Sequence, residues 1–173
     1  NVEDKWAIVQ PGIVRDYLNN QLTKYHLHFA PDPATSSRAT IGGMIANNSS
    51  GTRSILYGKT LDHVLELKVL LDDGQIIHCK ELSSLELEEK LELKTREGHL
   101  YRELFALVQN NRTEIIDRFP KVMRRVGGYN LDEFLTTKWN LCNLIVGSEG
   151  TLGIILEAKI KLEPTPKFQC LCI

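Results

Sequence analysis

Three glycines fall within the seven residues Gly147-Ser148-Glu149-Gly150-Thr151-Leu152-Gly153, and a strand-forming stretch, Ile154 to Leu162, follows at once. Glycine supplies backbone conformations that a Cβ forbids, and it lets a main chain approach a ligand closely. A turn of this kind, feeding a buried strand, can aim several peptide N–H groups at one flat or anionic ligand. A second glycine-rich run, Ile41-Gly42-Gly43-Met44-Ile45-Ala46-Asn47-Asn48-Ser49-Ser50-Gly51, lies about a hundred residues upstream. Together the two runs predict one extended cofactor held by backbone at two places. The plainer alternatives are a glycine turn before a strand, and a helix cap followed by a tight packing turn.

The 173 residues are enough for one domain with a real core. A composition of 42% hydrophobic and 25% charged residues is ordinary for a globular protein. The formal net charge of −1 gives no basis for general nucleic-acid affinity. No apolar stretch approaches the ~18 residues of a membrane span, and no signal-peptide pattern opens the chain. Cys79, Cys142, Cys170 and Cys172 are scattered rather than set out as a disulfide framework, which reads as reduced thiols in a cytoplasmic protein. Cys170-Leu171-Cys172 reads as a strand end with two ordinary thiols, because no second ligand pair stands at zinc spacing; no metal site is predicted. His26-Leu27-His28 puts two histidines on one side of an extended segment, with no evident carboxylate partner. His63, His78 and His99 read as surface or structural.

Periodicity gives a mixed order of elements. Residues 6–9 read as a strand. Ile13, Tyr17, Leu18, Leu22 and Tyr25 recur at helical spacing. His26–Pro33 reads as extended, since each proline disfavours helix for the residue before it. Thr40 is placed to cap a short helix over Ile41–Asn48. Leu61–Leu71 and Gln75–Cys79 read as a hairpin about Asp72-Asp73-Gly74. A helical insertion follows, over Leu82–Thr95 and then as a longer helix through Leu100, Leu104, Leu107, Val108 and Ile115 that ends before Pro120. Val122–Tyr129 is a loop, Asn130 or Asp132 caps a short helix through Phe134, Leu141–Val146 is a short apolar stretch, and a last strand runs from about Leu152 to Leu162.

Four blocks then stand in order: Gln10-Pro11-Gly12-Ile13; Pro31-Asp32-Pro33-Ala34 through Gly51 with Tyr57-Gly58; Gly128-Tyr129-Asn130-Leu131; and Gly147 through Ile155. This ordered set resembles the FAD-binding domain of the p-cresol methylhydroxylase / vanillyl-alcohol oxidase (PCMH-type) family. The likeness is to the branch of D-lactate dehydrogenases, glycolate oxidase subunits and D-2-hydroxyglutarate dehydrogenases. The insertion between Cys79 and Arg125 looks like that of long members fused to a C-terminal iron–sulfur region.

The resemblance implies an α+β fold, mainly an antiparallel sheet flanked by helices. It implies that residues 1–173 are a fragment, the second subdomain of the FAD-binding domain. The family's pyrophosphate loop, Gly-x-Gly-Thr-Ser, has no match here, and neither has its substrate cap. The isolated stretch is therefore expected to be inactive and to hold FAD weakly, with the rest of the parent chain as its partner. By resemblance, Pro31, Asp32, Pro33, Thr40 and Ile41 pass near FAD. Gly42, Gly43, Asn47, Asn48, Ser49, Ser50 and Gly51 approach its pyrophosphate and ribose. Glu149, Gly150, Thr151, Gly153 and Ile154 lie against its flavin or adenine part. Tyr129 and Asn130 either contact ligand or order a loop, Arg124 and Arg125 read as surface residues, and no catalytic base is assigned. The implied activity is oxidation of a small D-2-hydroxy acid by a flavin-dependent dehydrogenase. The alternatives are the same fold in another flavoenzyme, and a non-catalytic flavin-binding or assembly module.

Overall fold

The structure, a computed structural model, describes residues 1–135 and 138–168; Cys170-Leu171-Cys172 lies outside the described residues. In chain order, β1 (Trp6–Val9) leads into α1 (Arg15–Leu22), a 3-10 turn over Thr23–Tyr25 and the short β2 (Leu27–His28). Next come α2 (Ile41–Ala46) and α3 (Ser54–Tyr57), a 3-10 turn over Thr60–His63, and the hairpin of β3 (Val64–Leu70) with β4 (Ile76–Cys79). The insertion holds β5 (Glu81–Leu82), α4 (Ser84–Glu92), α5 (Arg96–Asn110) and α6 (Arg112–Arg118). A 3-10 turn over Leu131–Leu135 precedes β6 (Trp139–Asn140), α7 (Cys142–Ile145), β7 (Ile154–Lys161) and β8 (Glu163–Pro164).

The main sheet has the order β1-β7-β3-β4, and every neighbouring pair is antiparallel. β7 is an inner strand: its second half pairs with β1 from Trp6↔Lys161 to Val9↔Ala158, and its whole length pairs with β3 from Val64↔Ile160 to Leu70↔Ile154. Two short pairs, β2 with β8 and β5 with β6, pin the flanking segments. The β-rich, half-alternating sequences of β3 and β7 fit this arrangement, with Leu67, Val69, Ala158 and Ile160 buried. Phe29, Ile41, Met44 and Ile45 fill the core from the α2 side, and Tyr101, Leu104 and Val108 fill it from one face of α5.

Local signals account for most boundaries. The Thr40 hydroxyl accepts from the Gly43 N–H at 3.2 Å, and Ser83 with Glu86 forms a reciprocal capping box on α4. The structure corrects four readings. The first strand of the hairpin begins only at Val64, because Lys59–His63 is drawn into a 3-10 turn. There Asp62 accepts from the Lys59 N–H at 2.7 Å, and Asn48 accepts from the Leu61 N–H at 3.0 Å. The long helix is two, broken at Asn111, whose side chain donates to the Leu107 carbonyl at 2.8 Å in competition with the backbone. His26 and His28 do not share a strand face: His26 has a left-handed backbone at φ 56° and is exposed, whereas His28 is buried with Nδ1 on the Glu163 carbonyl at 3.0 Å. Leu141–Val146, left unassigned by periodicity, contains the single turn of α7.

Cys79 and Cys142 are buried free thiols; burial pushes Cys79 up to about 12, and Cys142 rises with it for the same reason. Among the described residues no helix is long and apolar enough to cross a membrane, and no cluster of histidine, cysteine and carboxylate could hold a metal ion.

Gly98 lies in the first turn of α5, where a Cβ would overlap the Leu93 carbonyl and stand 2.7 Å from the Leu93 Cβ. Alanine normally favours a helix over glycine by ~1 kcal/mol, but here the overlap is with backbone, and such overpacking costs about 1–3 kcal/mol. Gly98→Ala is expected to lower the melting temperature despite its better helix propensity. Thermal denaturation followed by circular dichroism checks the sign.

Candidate functional site

The two glycine-rich runs meet through their backbones. α2 starts against the first block: the Ile41 and Gly42 N–H groups donate to the carbonyls of Ile13 and Pro11, each at 2.8 Å. A Cβ on Gly42 would stand 2.6 Å from that of Pro11, so glycine lets the helix seat there. Past α2 the chain turns at Asn48, whose backbone is left-handed at φ 50°. The Ser49 carbonyl then accepts from both the N–H and the hydroxyl of Thr60, at 2.9 and 2.8 Å. Gly51 passes directly over Asp32. The Asp32 carboxylate takes the Arg53 N–H and the Thr52 hydroxyl, each at 3.2 Å, with the Arg53 guanidinium at 3.7 Å.

The second run docks on the end of α2. Gly147 N–H donates to the Ile45 carbonyl and Glu149 N–H to the Ala46 carbonyl, both at 2.9 Å. The turn needs positive φ at Gly147 (84°), Glu149 (54°) and Gly150 (76°). Thr151 closes it, N–H and hydroxyl both donating to the Ser148 carbonyl at 3.0 and 2.6 Å. The space where a Gly147 Cβ would lie is bounded by the Gly128 carbonyl, the Asn48 Cβ and the Asn130 Nδ2, all within 3.6 Å. All four sequence blocks therefore converge on one face.

The third block acts from beneath. Asn130 is fully buried, and its Nδ2 donates to the Val146 carbonyl at 2.8 Å and the Asn143 carbonyl at 3.1 Å. It orders the loop and does not cap the following 3-10 turn. Tyr129 shares a hydrogen bond with the Thr151 hydroxyl at 2.8 Å. Arg125 is not a surface residue: its side chain is 10% exposed and donates from Nη2 to both carboxylate oxygens of Asp132. Only the doublet Arg124-Arg125 and an acid seven residues on could have hinted at this pair in the sequence. Nearby, burial raises the Glu133 carboxyl, and Asp132 beside it adds to the rise.

Residues 1–80 match the family profile described as FAD binding domain. Over 99% of its length the chain is 41% identical to a D-2-hydroxyglutarate dehydrogenase of Pseudomonas putida. Over 95% it is 32% identical to the glycolate oxidase subunit GlcD of Bacillus subtilis. These matches bear out the resemblance to the PCMH-type FAD-binding family. The chain spans only 17% and 25% of the lengths of those two relatives. A solved alkyldihydroxyacetonephosphate synthase superposes with a TM-score of 0.57 over 97% of this chain and 21% of its own, at 23% identity, which shows a shared fold.

The matched profile is that of an FAD binding domain, and the exposed part of the face suits such a ligand. The N–H groups of Ser50, Gly51, Gly150 and Leu152 make no hydrogen bond to another described residue. A Cβ at Gly150 would project into open space. Uncharged amide donors with small neighbours can hold phosphate or a ring edge without a lysine. The residues expected at the site divide by burial. Gly43, Asn47, Glu149, Gly150, Thr151 and Ile154 are exposed, and Asp32, Pro33, Thr40, Gly42, Ser49, Ser50, Gly51 and Gly153 are half-buried. Pro31, Ile41 and Asn48 are buried and act through packing and the backbone. The missing Cβ of Gly153 makes room for the neighbouring strand, since one would meet Val69 Cγ1 at 2.7 Å and the Leu70 carbonyl at 2.9 Å. Gly150 to Ile154 also wall an apolar cavity of about 620 Å³ with Leu70, Leu100, Leu104 and Leu144.

The two glycines separate fold from ligand. Gly153→Ala is expected to destabilise the protein by about 1–3 kcal/mol through overpacking against β3. Gly150→Ala is expected to cost about 1–2 kcal/mol of left-handed strain and, in addition, to weaken FAD binding by the full-length protein. Apo-protein melting and FAD titration, run side by side on both variants, check the split.

Proposed function

We propose that this chain is the second subdomain of the FAD-binding domain in a flavin-dependent dehydrogenase that oxidises a D-2-hydroxy acid, with a longer parent supplying the pyrophosphate loop and the substrate cap. The observation that carries the reading is the junction of Gly147 and Glu149 with the end of α2, which joins both glycine runs into one donor-lined face. The names of the relatives, D-2-hydroxyglutarate dehydrogenase and glycolate oxidase subunit, support the substrate class. A cytoplasmic setting fits the reduced, buried Cys79 and Cys142.

Bound FAD supplies a hydride acceptor, and this chain's residues orient it. Free N–H groups at Ser50, Gly51, Gly150 and Leu152 offer fixed dipoles, which cost little reorganisation when charge develops. Asn47 and Ser49, joined at 2.6 Å, add neutral polar groups on the same face. The described residues show no proton-transfer pair on this face, so substrate binding and proton transfer belong to the cap in this reading. Neighbouring parent regions, among them an iron–sulfur region, complete the electron path.

Stereoselectivity follows from geometry. Once a cap holds the substrate carboxylate, only one enantiomer turns its C–H toward the acceptor, and misplacement by ~1 Å can cost ~100-fold in rate. Anaerobic bleaching of the flavin in the full-length protein, by paired D and L forms of lactate and 2-hydroxyglutarate and by achiral glycolate, tests this. Bleaching by at least one D acid over its L partner is expected. No bleaching by any acid, in a protein whose flavin dithionite reduces, would reject the substrate class.

A further inference from the structure

We propose that Arg125 and Asn130 form a positioning relay, anchored by Asp132, that sets the FAD-facing glycine turn; this rests on the FAD-binding reading above. The relay begins at a fixed point. The Arg125 guanidinium meets both oxygens of the Asp132 carboxylate, at 2.7 Å to Oδ2, and lies 5.0 Å from the centroid of the Phe119 ring. Nη2 is shared between the two carboxylate oxygens, which anchors that end of the guanidinium beside the aromatic face and leaves Nη1 for Asn130.

From there Arg125 Nη1 donates to Asn130 Oδ1 at 3.3 Å. A guanidinium can only donate, so it dictates which way the Asn130 amide is turned: oxygen toward arginine, nitrogen away. The nitrogen then meets two acceptors, the carbonyls of Val146 and Asn143. Reversed, the amide would set an oxygen against both. Val146 is the residue before Gly147, and Gly147 begins the sequence of left-handed residues that exposes Gly150. Orientation thus passes from carboxylate to guanidinium to amide to the carbonyl at the head of the turn.

The peptide group between Val146 and Gly147 is held at both ends, its N–H by the Ile45 carbonyl at 2.9 Å and its carbonyl by Asn130 Nδ2 at 2.8 Å. α7 before it is a single turn of helix, and Val146 itself is extended at φ −66°, ψ 122°. Thr151 fastens the far side of the turn to Ser148 but not its entry. Asn130 is fully buried and Arg125 nearly so, so their effect on a ligand is through the turn. A second tie runs from Lys59 Nζ to the Arg125 carbonyl at 3.3 Å, linking the relay to the segment that follows α3.

The test uses the full-length protein and the variants Asn130→Asp and Arg125→Lys. Asn130→Asp keeps shape and the acceptor for Arg125 but sets oxygen against two carbonyls. Arg125→Lys keeps the charge beside Asp132 but replaces two spaced nitrogens, Nη2 on Asp132 and Nη1 on Asn130, by a single ammonium. FAD affinity, apo-protein melting temperature and the visible spectrum of bound flavin are measured on each. Asn130→Asp is expected to weaken FAD binding about 10- to 100-fold, and Arg125→Lys about tenfold, the lower end of the loss for one buried hydrogen bond to a charged group. The proposal also requires an apo melting temperature in Arg125→Lys close to wild type and a shifted flavin spectrum. If Asn130→Asp does not fold, Arg125→Lys decides alone. Unchanged FAD affinity in Arg125→Lys, or a loss matched by a fall in apo stability with an unaltered spectrum, overturns the relay and leaves the FAD reading standing. A wild-type protein that takes up no FAD overturns both.

Discussion

Two backbone hydrogen bonds, from Gly147 and Glu149 to the last carbonyls of α2, hold the site together. A helix C-terminus leaves carbonyls unsatisfied, and here another glycine run supplies the donors. Main chain makes the junction, and the Asn130 amide braces the entry of the turn through the Val146 carbonyl. The junction also explains why glycine and a left-handed glutamate cluster at the turn, since only such a backbone can bring successive N–H groups to α2 and leave others facing outward.

The sheet and the site are one construction. β7 issues from the turn, pairs with β3 from Ile154 onward and gains β1 on its other side from Ala158, so movement of the turn is resisted by a ladder that starts at once. Gly153 lies at the junction, pressed against Val69 and Leu70. The candidate site is therefore an edge of the core and shares its rigidity.

The local physics of this chain is legible in its sequence: the cap at Thr40, the capping box at Ser83, the turn at Asp72-Asp73-Gly74 and the strand after Gly153 follow from residue types at short spacing. The illegible parts depend on partners distant in sequence. Asn111 breaks a helix whose apolar spacing runs on through Ile115, because its side chain takes the Leu107 carbonyl. The start of β3 is shortened by Asn48, thirteen residues before Leu61. Gly153 and Gly150 look alike in sequence, yet one faces a strand and the other open space. Arg125 gives no sign in the sequence that its side chain turns inward to Asp132 and Asn130.

The position of β7 carries a consequence for synthesis. This inner strand lies late in the chain, while its two neighbours, β1 and β3, come from residues 6–9 and 64–70. As the polypeptide emerges, β1 and β3 must wait with unpaired edges until the residues near 160 are free. Exposed strand edges invite wrong pairing, and long-range pairing is slow because a large loop must close first. From the emergence of β1 until the residues near 160 are free, the sheet has a gap at its middle, and the segment that fills it brings the candidate site's turn with it.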